Sequence, residues 1–246
     1  MSRPLDDLRE EAVRVLDAVS ARGIAARAVG GLAVFLRCPS AHEPPLAREH
    51  KDLDLVALKP AGGELIACLL ELGYAADEEF NALHGRQRLF FWDQRHERQL
   101  DVFVDQMELC HTLDVRDRLE RDERTLDLAD LLLAKLQVVE VNEKDLQDAA
   151  AILTDHPIGP PGVDAERIAA LFASDWGWWR TGTETIAKVA DYAADLRGFA
   201  AARVVRDRAG ELLERIEAEP KSRRWKLRAT LGERKRWYEL PEEIEA

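Results

Sequence analysis

Three short stretches of this chain carry side chains that could do chemistry. "HKDLDLVAL" (residues 50–58) places Asp52 and Asp54 one residue apart in an otherwise apolar run. "QLDVFVD" (residues 99–105) carries Asp101 and Asp105 among aliphatic and aromatic neighbours, and "AVGGLAVF" (residues 28–35) carries the pair Gly30-Gly31. Side chains two apart on a strand share a face, so Asp52 and Asp54 would lie side by side. That is costly unless a cation lies between them or the strand ends in a solvated turn. If the strands of Asp52 and Asp101 pair, three carboxylates converge at one sheet edge. Hard oxygen donors of this kind suit Mg²⁺, which binds through one or two carboxylates plus substrate phosphates. Two such ions clamp the attacking and leaving oxygens of an in-line phosphoryl displacement. A Gly-Gly turn between strand and helix permits close backbone approach and presents N–H groups at a helix start, which suits a triphosphate.

These residues need particular elements to position them. Apolar residues at Leu5, Leu8, Ala12, Val15, Leu16 and Val19 predict a helix that Gly23 stops. "IAARAVGG" reads as a short strand running into the glycine pair, and "LAVFLR" as a helix start. A loop with three prolines spans residues 38–51. Residues 52–58 read as a strand and 62–73 as a helix closed by glycine. "GRQRLFFWD" and "RQLDVFVD" read as two strands joined by a polar turn at residues 94–97. After Cys110 the pattern turns helical: "LADLLLAKLQVVEV", then "EKDLQDAAAILTDH" with Asn142 placed to cap it, a break at "PIGPPG", and further helices from Asp164. The expected fold class is α+β, a mixed sheet flanked by helices and followed by a C-terminal helical domain. The expected boundaries are 1–110 for the catalytic domain and 111–246 for the helical domain that completes the nucleotide and acceptor site.

Composition narrows the classes. With 246 residues, 46% hydrophobic and 33% charged, the chain can bury a sizeable core and is not disordered. No apolar run approaches the roughly 20 residues that span a bilayer, and the N-terminus reads as an amphipathic helix, not a signal peptide. Cys38, Cys68 and Cys110 are widely spaced, which favours a reducing cytoplasm and argues against a structural zinc site. A formal charge of −12 weighs against a protein that coats nucleic acid. The charge is uneven, however. "KSRRWKLRATLGERKRW" (residues 221–237) holds eight Lys or Arg against the single acid Glu233, and the last residues turn acidic again.

Gly-Gly, then Asp-x-Asp, then a lone Asp on a later strand resembles the nucleotidyltransferase fold shared with DNA polymerase beta. The resemblance covers roughly residues 20 to 110. It implies transfer of a nucleoside monophosphate from an NTP to a hydroxyl, with pyrophosphate released. It would make Asp52 and Asp54 the metal-binding pair. Asp101 would be the third carboxylate, binding the metal at the attacking hydroxyl and accepting its proton. Gly30 and Gly31 would form the turn beside the phosphates. A second resemblance, to AbiEii-type nucleotidyltransferases including the MenT enzymes, extends to about residue 155. It implies that Lys135 contacts the triphosphate and that Lys144, Asp145 and Asp148 line or brace the nucleotide site. The implied cofactor is Mg²⁺, as two ions, with Mn²⁺ able to replace it. The implied partners are an NTP and an acceptor (tRNA or other RNA, a protein, or a cationic small molecule), with neither DNA nor membrane expected. The different-class alternative is a non-catalytic NTP-binding or antitoxin-like interaction protein on the same fold.

The chain departs from these patterns in places. Twenty residues separate Gly31 from Asp52, so residues 38–51 read as an insertion near the site and a place for acceptor specificity. The second glycine stands where many relatives have serine, and the spacing from Lys135 to Asp148 is short. Several readings stay open on the residues alone. Asp105 shares Asp101's face and is the other choice of third ligand, although apolar neighbours on both sides favour Asp101. Lys135 could be a snorkelling lysine, and Lys144 to Asp148 a solvated helix face. His50 could touch substrate. "DWGWWR" (residues 175–180) could stack an acceptor or lock two helices together, and the basic strip could face RNA or simply be a charged surface helix.

Overall fold

The computed structural model describes residues 3–240, so the acidic end at residues 241–246 lies outside the described residues. The chain forms two compact units. A sheet unit comprises the chain up to Leu36 together with Glu49–Met107 and Asp114–Asp127; a helical unit comprises Arg37–Arg48, Glu108–Leu113 and the chain from Leu128 onward.

In the sheet unit, helix α1 (Leu8–Ala21) starts where the Asp7 carboxylate accepts from the Arg9 and Glu10 N–H groups at 2.8 and 3.0 Å. Its buried stripe includes Ala12, Val15, Leu16 and Val19, four of the six apolar positions read from the sequence; Leu5 lies before the helix and is exposed. Strand β1 (Ala26–Val29) leads directly into helix α2 (Gly30–Arg37), and β2 (Leu53–Ala57), α3 (Gly62–Glu71), β3 (Ala75–Ala76), α4 (Glu78–His84), β4 (Arg88–Asp93) and β5 (Arg98–Val104) follow. The sheet order is β1-β2-β5-β4-β3. β2 runs parallel to β5, and the other pairings are antiparallel, which makes the sheet mixed. β4 and β5 form the hairpin expected around residues 94–97, where Glu97 takes a positive φ of 53°. Two short strands, β6 (Gln106–Glu108) and β7 (Thr112–Asp114), pair with each other.

Alternation along the central strands separates two kinds of residue. Leu53, Leu55, Leu100 and Val102 are each 0–1% exposed, and burying each such side chain contributes about 1.5–3 kcal/mol. Asp54 and Asp101 point the other way. Other charges are buried in this unit, among them Asp93 and Glu11; Glu11 is fully buried and accepts from Arg14 Nε (2.7 Å), the Leu5 N–H (2.9 Å) and the Tyr74 hydroxyl (2.7 Å).

The helical unit contains α5 (Leu128–Leu136), α6 (Glu143–Asp155), α7 (Ala165–Ser174), α8 (Trp176–Asp195), α9 (Ala202–Ala218) and α10 (Arg223–Ala229). Asn142 caps α6 as its position suggested, accepting from the Asp145 N–H at 3.0 Å. α7 and α8 approach closely because position 182 is glycine: a Cβ there would overlap the Phe172 ring. The proline-rich segment is not bare loop. Residues 39–42 form one 3₁₀ turn, and Ser40 donates from both N and Oγ to Asp155 of α6, at 2.9 and 2.8 Å. Burial pushes the Cys38 thiol up to about 12, so it is unreactive at neutral pH. Among the described residues, no helix is long and apolar enough to cross a membrane.

Candidate active site

The sheet register brings the central candidates together. Asp54 is the partner of Val29 on β1 and of Asp101 on β5. In-register residues on paired strands share a face, so the two carboxylates are lateral neighbours, about 4.8 Å apart strand to strand. Asp54 is half-buried, and Asp101 is only 5% exposed. Asp52 lies just before β2 and is exposed. Asp101 and Asp105 lie at different positions relative to Asp54. Asp105 sits four residues further along, roughly 13 Å at strand rise, with φ 65°, and its carboxylate accepts from the Lys59 N–H at 2.9 Å. Asp101 is the neighbour of Asp54.

Gly30 closes the other side of Asp54. It ends β1, opens α2 and holds φ +73°, a conformation that L side chains rarely adopt. A Cβ built on it would overlap Asp54 Oδ2 and stand 3.1 Å from the Asp54 Cγ. The expected close approach at the glycine pair is therefore made to the aspartate itself, at the N-terminal end of α2, where unpaired N–H groups favour anions. Gly30→Ala should lower stability by about 1–2 kcal/mol from the left-handed φ alone and should displace the Asp54 carboxylate as well. Urea midpoints of the variant and wild type check this; equal midpoints would contradict the geometry.

Sequence reasoning missed Arg88. Its Nε donates to Asp101 Oδ1 and Oδ2 at 2.9 and 2.8 Å, and its Nη2 also bonds Oδ2. The guanidinium lies over the Phe103 ring, 5.1 Å from the centroid. Arg88 faces Phe103 in register, diagonal to Asp101 on the same face, so only the β4–β5 register reveals the pair. His50, whose ring stands edge-on to Phe35 of α2 at 5.6 Å, is the histidine nearest in sequence to the aspartates.

The donor set suits a hard divalent ion: Asp54 and Asp101 are carboxylates on adjacent strands, and Mg²⁺ takes one or two such ligands before substrate phosphates complete its shell. Among the described residues, no three His, Cys, Asp or Glu side chains are gathered closely enough to hold a metal by themselves.

The remaining candidates lie in the helical unit. Lys135 Nζ is 3.0 Å from Asp145 Oδ1 and 2.8 Å from Asp148 Oδ2. Arg48 binds the same Asp148 through Nε at 3.0 Å and Nη2 at 2.7 Å. Burial opposes the Lys135 ammonium, but the two carboxylates outweigh it and hold its pKa above the ordinary lysine value. Burial likewise pulls the Asp148 carboxyl upward, while Lys135 and Arg48 more than reverse this and hold it below the usual carboxylate range. Lys144 is outside this cluster, exposed on the first turn of α6.

No family model matches the chain, and no curated protein matches it in sequence. Among solved structures it is similar to the antibiotic-resistance factor ANT(2'')-Ia, at 17% identity and a TM-score of 0.40, over 59% of this chain and 82% of that one. It is also similar to an antigenic nucleotidyltransferase-like protein from Paracoccidioides brasiliensis, at 13% identity and a TM-score of 0.43, over 90% of this chain and 97% of that one. Neither likeness reaches the level at which residue roles transfer.

Proposed function

We propose that this chain is a divalent-metal-dependent nucleotidyltransferase, moving a nucleoside monophosphate from an NTP to an acceptor hydroxyl with release of pyrophosphate. The observation that carries the reading is the register pair Asp54–Asp101, with Gly30 pressed against Asp54 at the start of α2. Asp54 and Asp101, together with Asp52 two residues before Asp54 in the chain, are the residues that would hold the Mg²⁺ ions. Bound there, the metal would neutralise charge on the phosphates and on the attacking and leaving oxygens. Asp101 is assigned the proton of the attacking hydroxyl. Arg88 orients that carboxylate and holds a positive charge beside it. The backbone at Gly30-Gly31 offers its N–H groups to the triphosphate.

In the helical unit, Lys135 would reach a phosphate only by leaving Asp145 and Asp148, so its part is to brace α5 against α6, with Asp148 at the centre. Lys144 is the exposed cation of the group and is assigned to the nucleotide. The acceptor is an RNA, a protein or a cationic small molecule.

One observation favours a second reading, a non-catalytic NTP-binding protein: the third carboxylate is already engaged by Arg88. Incubation with NTP, Mg²⁺ and total RNA or lysate separates the two. Pyrophosphate release that stops when EDTA is added is the expected result. Retention of NTP without pyrophosphate would establish the binding protein.

A further inference from the structure

The helical unit carries a half-open cavity of about 430 Å³ that the carboxylate chemistry does not use. Its size falls within the roughly 300–1,000 Å³ of small-molecule sites. Its walls come from three distant stretches: residues 108–112, the start of α8, and α10 with the chain after it. Trp225, Trp237 and Tyr238 supply part-exposed aromatic surface with the buried Trp176 behind them, and the exposed Arg224 and Arg236 supply cations, Arg236 lying over the Tyr238 ring at 4.8 Å.

The rings are fixed in place. Trp176 stands edge-on to Trp237 at 5.7 Å, with the Arg228 guanidinium over its face at 4.5 Å. Trp237 Nε1 donates to Thr181 Oγ1 at 3.1 Å, and Trp225 packs edge-on to Trp179 at 5.2 Å. His111 shares this wall, its Nε2 2.9 Å from Thr181 Oγ1. Burial pushes its pKa down to about 4 against an opposing pull from Asp175, so it presents a neutral imidazole. Three acids also line the space. Asp175 is spent on the first turn of α8, accepting from the Gly177 and Trp178 N–H groups at 2.7 and 3.0 Å, while Glu108 and Glu239 are exposed.

The tryptophan cluster borders this open cleft as well as the neighbouring helices. "DWGWWR" does both tasks. Trp178 locks, stacking on Phe172 and donating to the Thr112 carbonyl at 3.3 Å, whereas Trp176 faces the cavity. Aromatic walls accept the π-face of any base, and guanidinium groups take phosphate oxygens. Four further exposed cations, Arg223, Lys226, Arg234 and Lys235, stand within a few residues of the lining residues in sequence, more positive charge than one phosphate requires.

We propose that this cavity seats one unstacked nucleotide of a single-stranded nucleic acid, whose neighbouring phosphates run along the basic strip of residues 223–236. The test is fluorescence anisotropy of labelled octaadenylates, one RNA and one DNA, between 50 and 200 mM KCl. No NTP is present, so the outcome is independent of the transfer reaction. Wild type should bind, more weakly as salt rises. Arg224→Ala with Arg236→Ala should weaken binding about tenfold and flatten the logarithmic salt slope by roughly 1.4, about 0.7 for each lost phosphate contact. Ser174→Trp, which fills the mouth from an exposed position, should also weaken binding about tenfold with an unchanged melting temperature. Tighter binding of one octamer identifies RNA or DNA as the source. Absence of binding, or binding that neither variant alters, would overturn the site. Free AMP bound as tightly as an octamer, and without salt dependence, would overturn the strand.

Discussion

Asp54→Asn should reduce nucleotide transfer by at least ~10³-fold, equivalent to about 4 kcal/mol in the barrier, while leaving the fold intact. The substitution keeps the shape of the side chain, so Gly30 is still accommodated and the apolar residues behind β2 are untouched. What it removes is the negative charge at the one position that adjoins β1, β5 and the start of α2 together. Asp101 cannot compensate, because in this reading it already serves the same site as a ligand and one carboxylate then remains where the register places two. Single-turnover transfer and circular dichroism on the same preparation check both halves of the statement. Transfer at the wild-type rate would remove Asp54 from the site.

Asp148→Ala should destabilise the protein by about 3–5 kcal/mol, the usual consequence of removing one partner from a buried ion pair. Asp148 is 3% exposed and faces two cations, Lys135 and Arg48, which would lose their shared counter-charge. Its pH dependence has a definite sign. The Asp148 carboxyl sits below its unfolded value of 3.8, so its contribution is complete above that value and is lost as pH falls through the lower native one. Lys135 sits above 10.5, so its contribution is complete below that value and is lost as pH rises through the higher native one. The cluster therefore supports the fold across the whole middle range. Asp148→Asn should remove part of the acid-limb slope that wild type shows below pH 3.8. Urea midpoints measured from acid to neutral pH check this, and parallel curves would contradict it.

The two sites differ in how far they could be read from residues alone. Period-two alternation puts Asp54 and Asp101 on one face once their strands pair, and the apolar neighbours of Asp101 distinguish it from Asp105. Gly30-Gly31 announces a tight strand-to-helix turn, although not that Asp54 itself would fill the space a Cβ needs. Arg88 was invisible because its pairing depends on register across a hairpin, and a one-residue slip would send it to the opposite face. The prolines of residues 38–51 signal a break in periodicity but not what the segment packs against. Its attachments, Ser40 to Asp155 and Arg48 to Asp148, bridge more than a hundred residues or close to it, far outside any local pattern. The basic strip and the tryptophans were legible as compositions. That three of the arginines and several of the tryptophans border one space with residues 108–112 is a property of the tertiary fold.

The most direct test of the metal-dependent transferase is a comparison of two labels on the same nucleotide. NTP labelled at the α-phosphate and NTP labelled at the γ-phosphate are each incubated with the protein, Mg²⁺ and total RNA or lysate, and the macromolecular fraction is counted. Nucleotidyl transfer predicts acceptor labelled from the α-position only, γ-label recovered as pyrophosphate, and loss of both signals with EDTA. Acceptor labelled from the γ-position, or α-labelling that persists in EDTA, would contradict it.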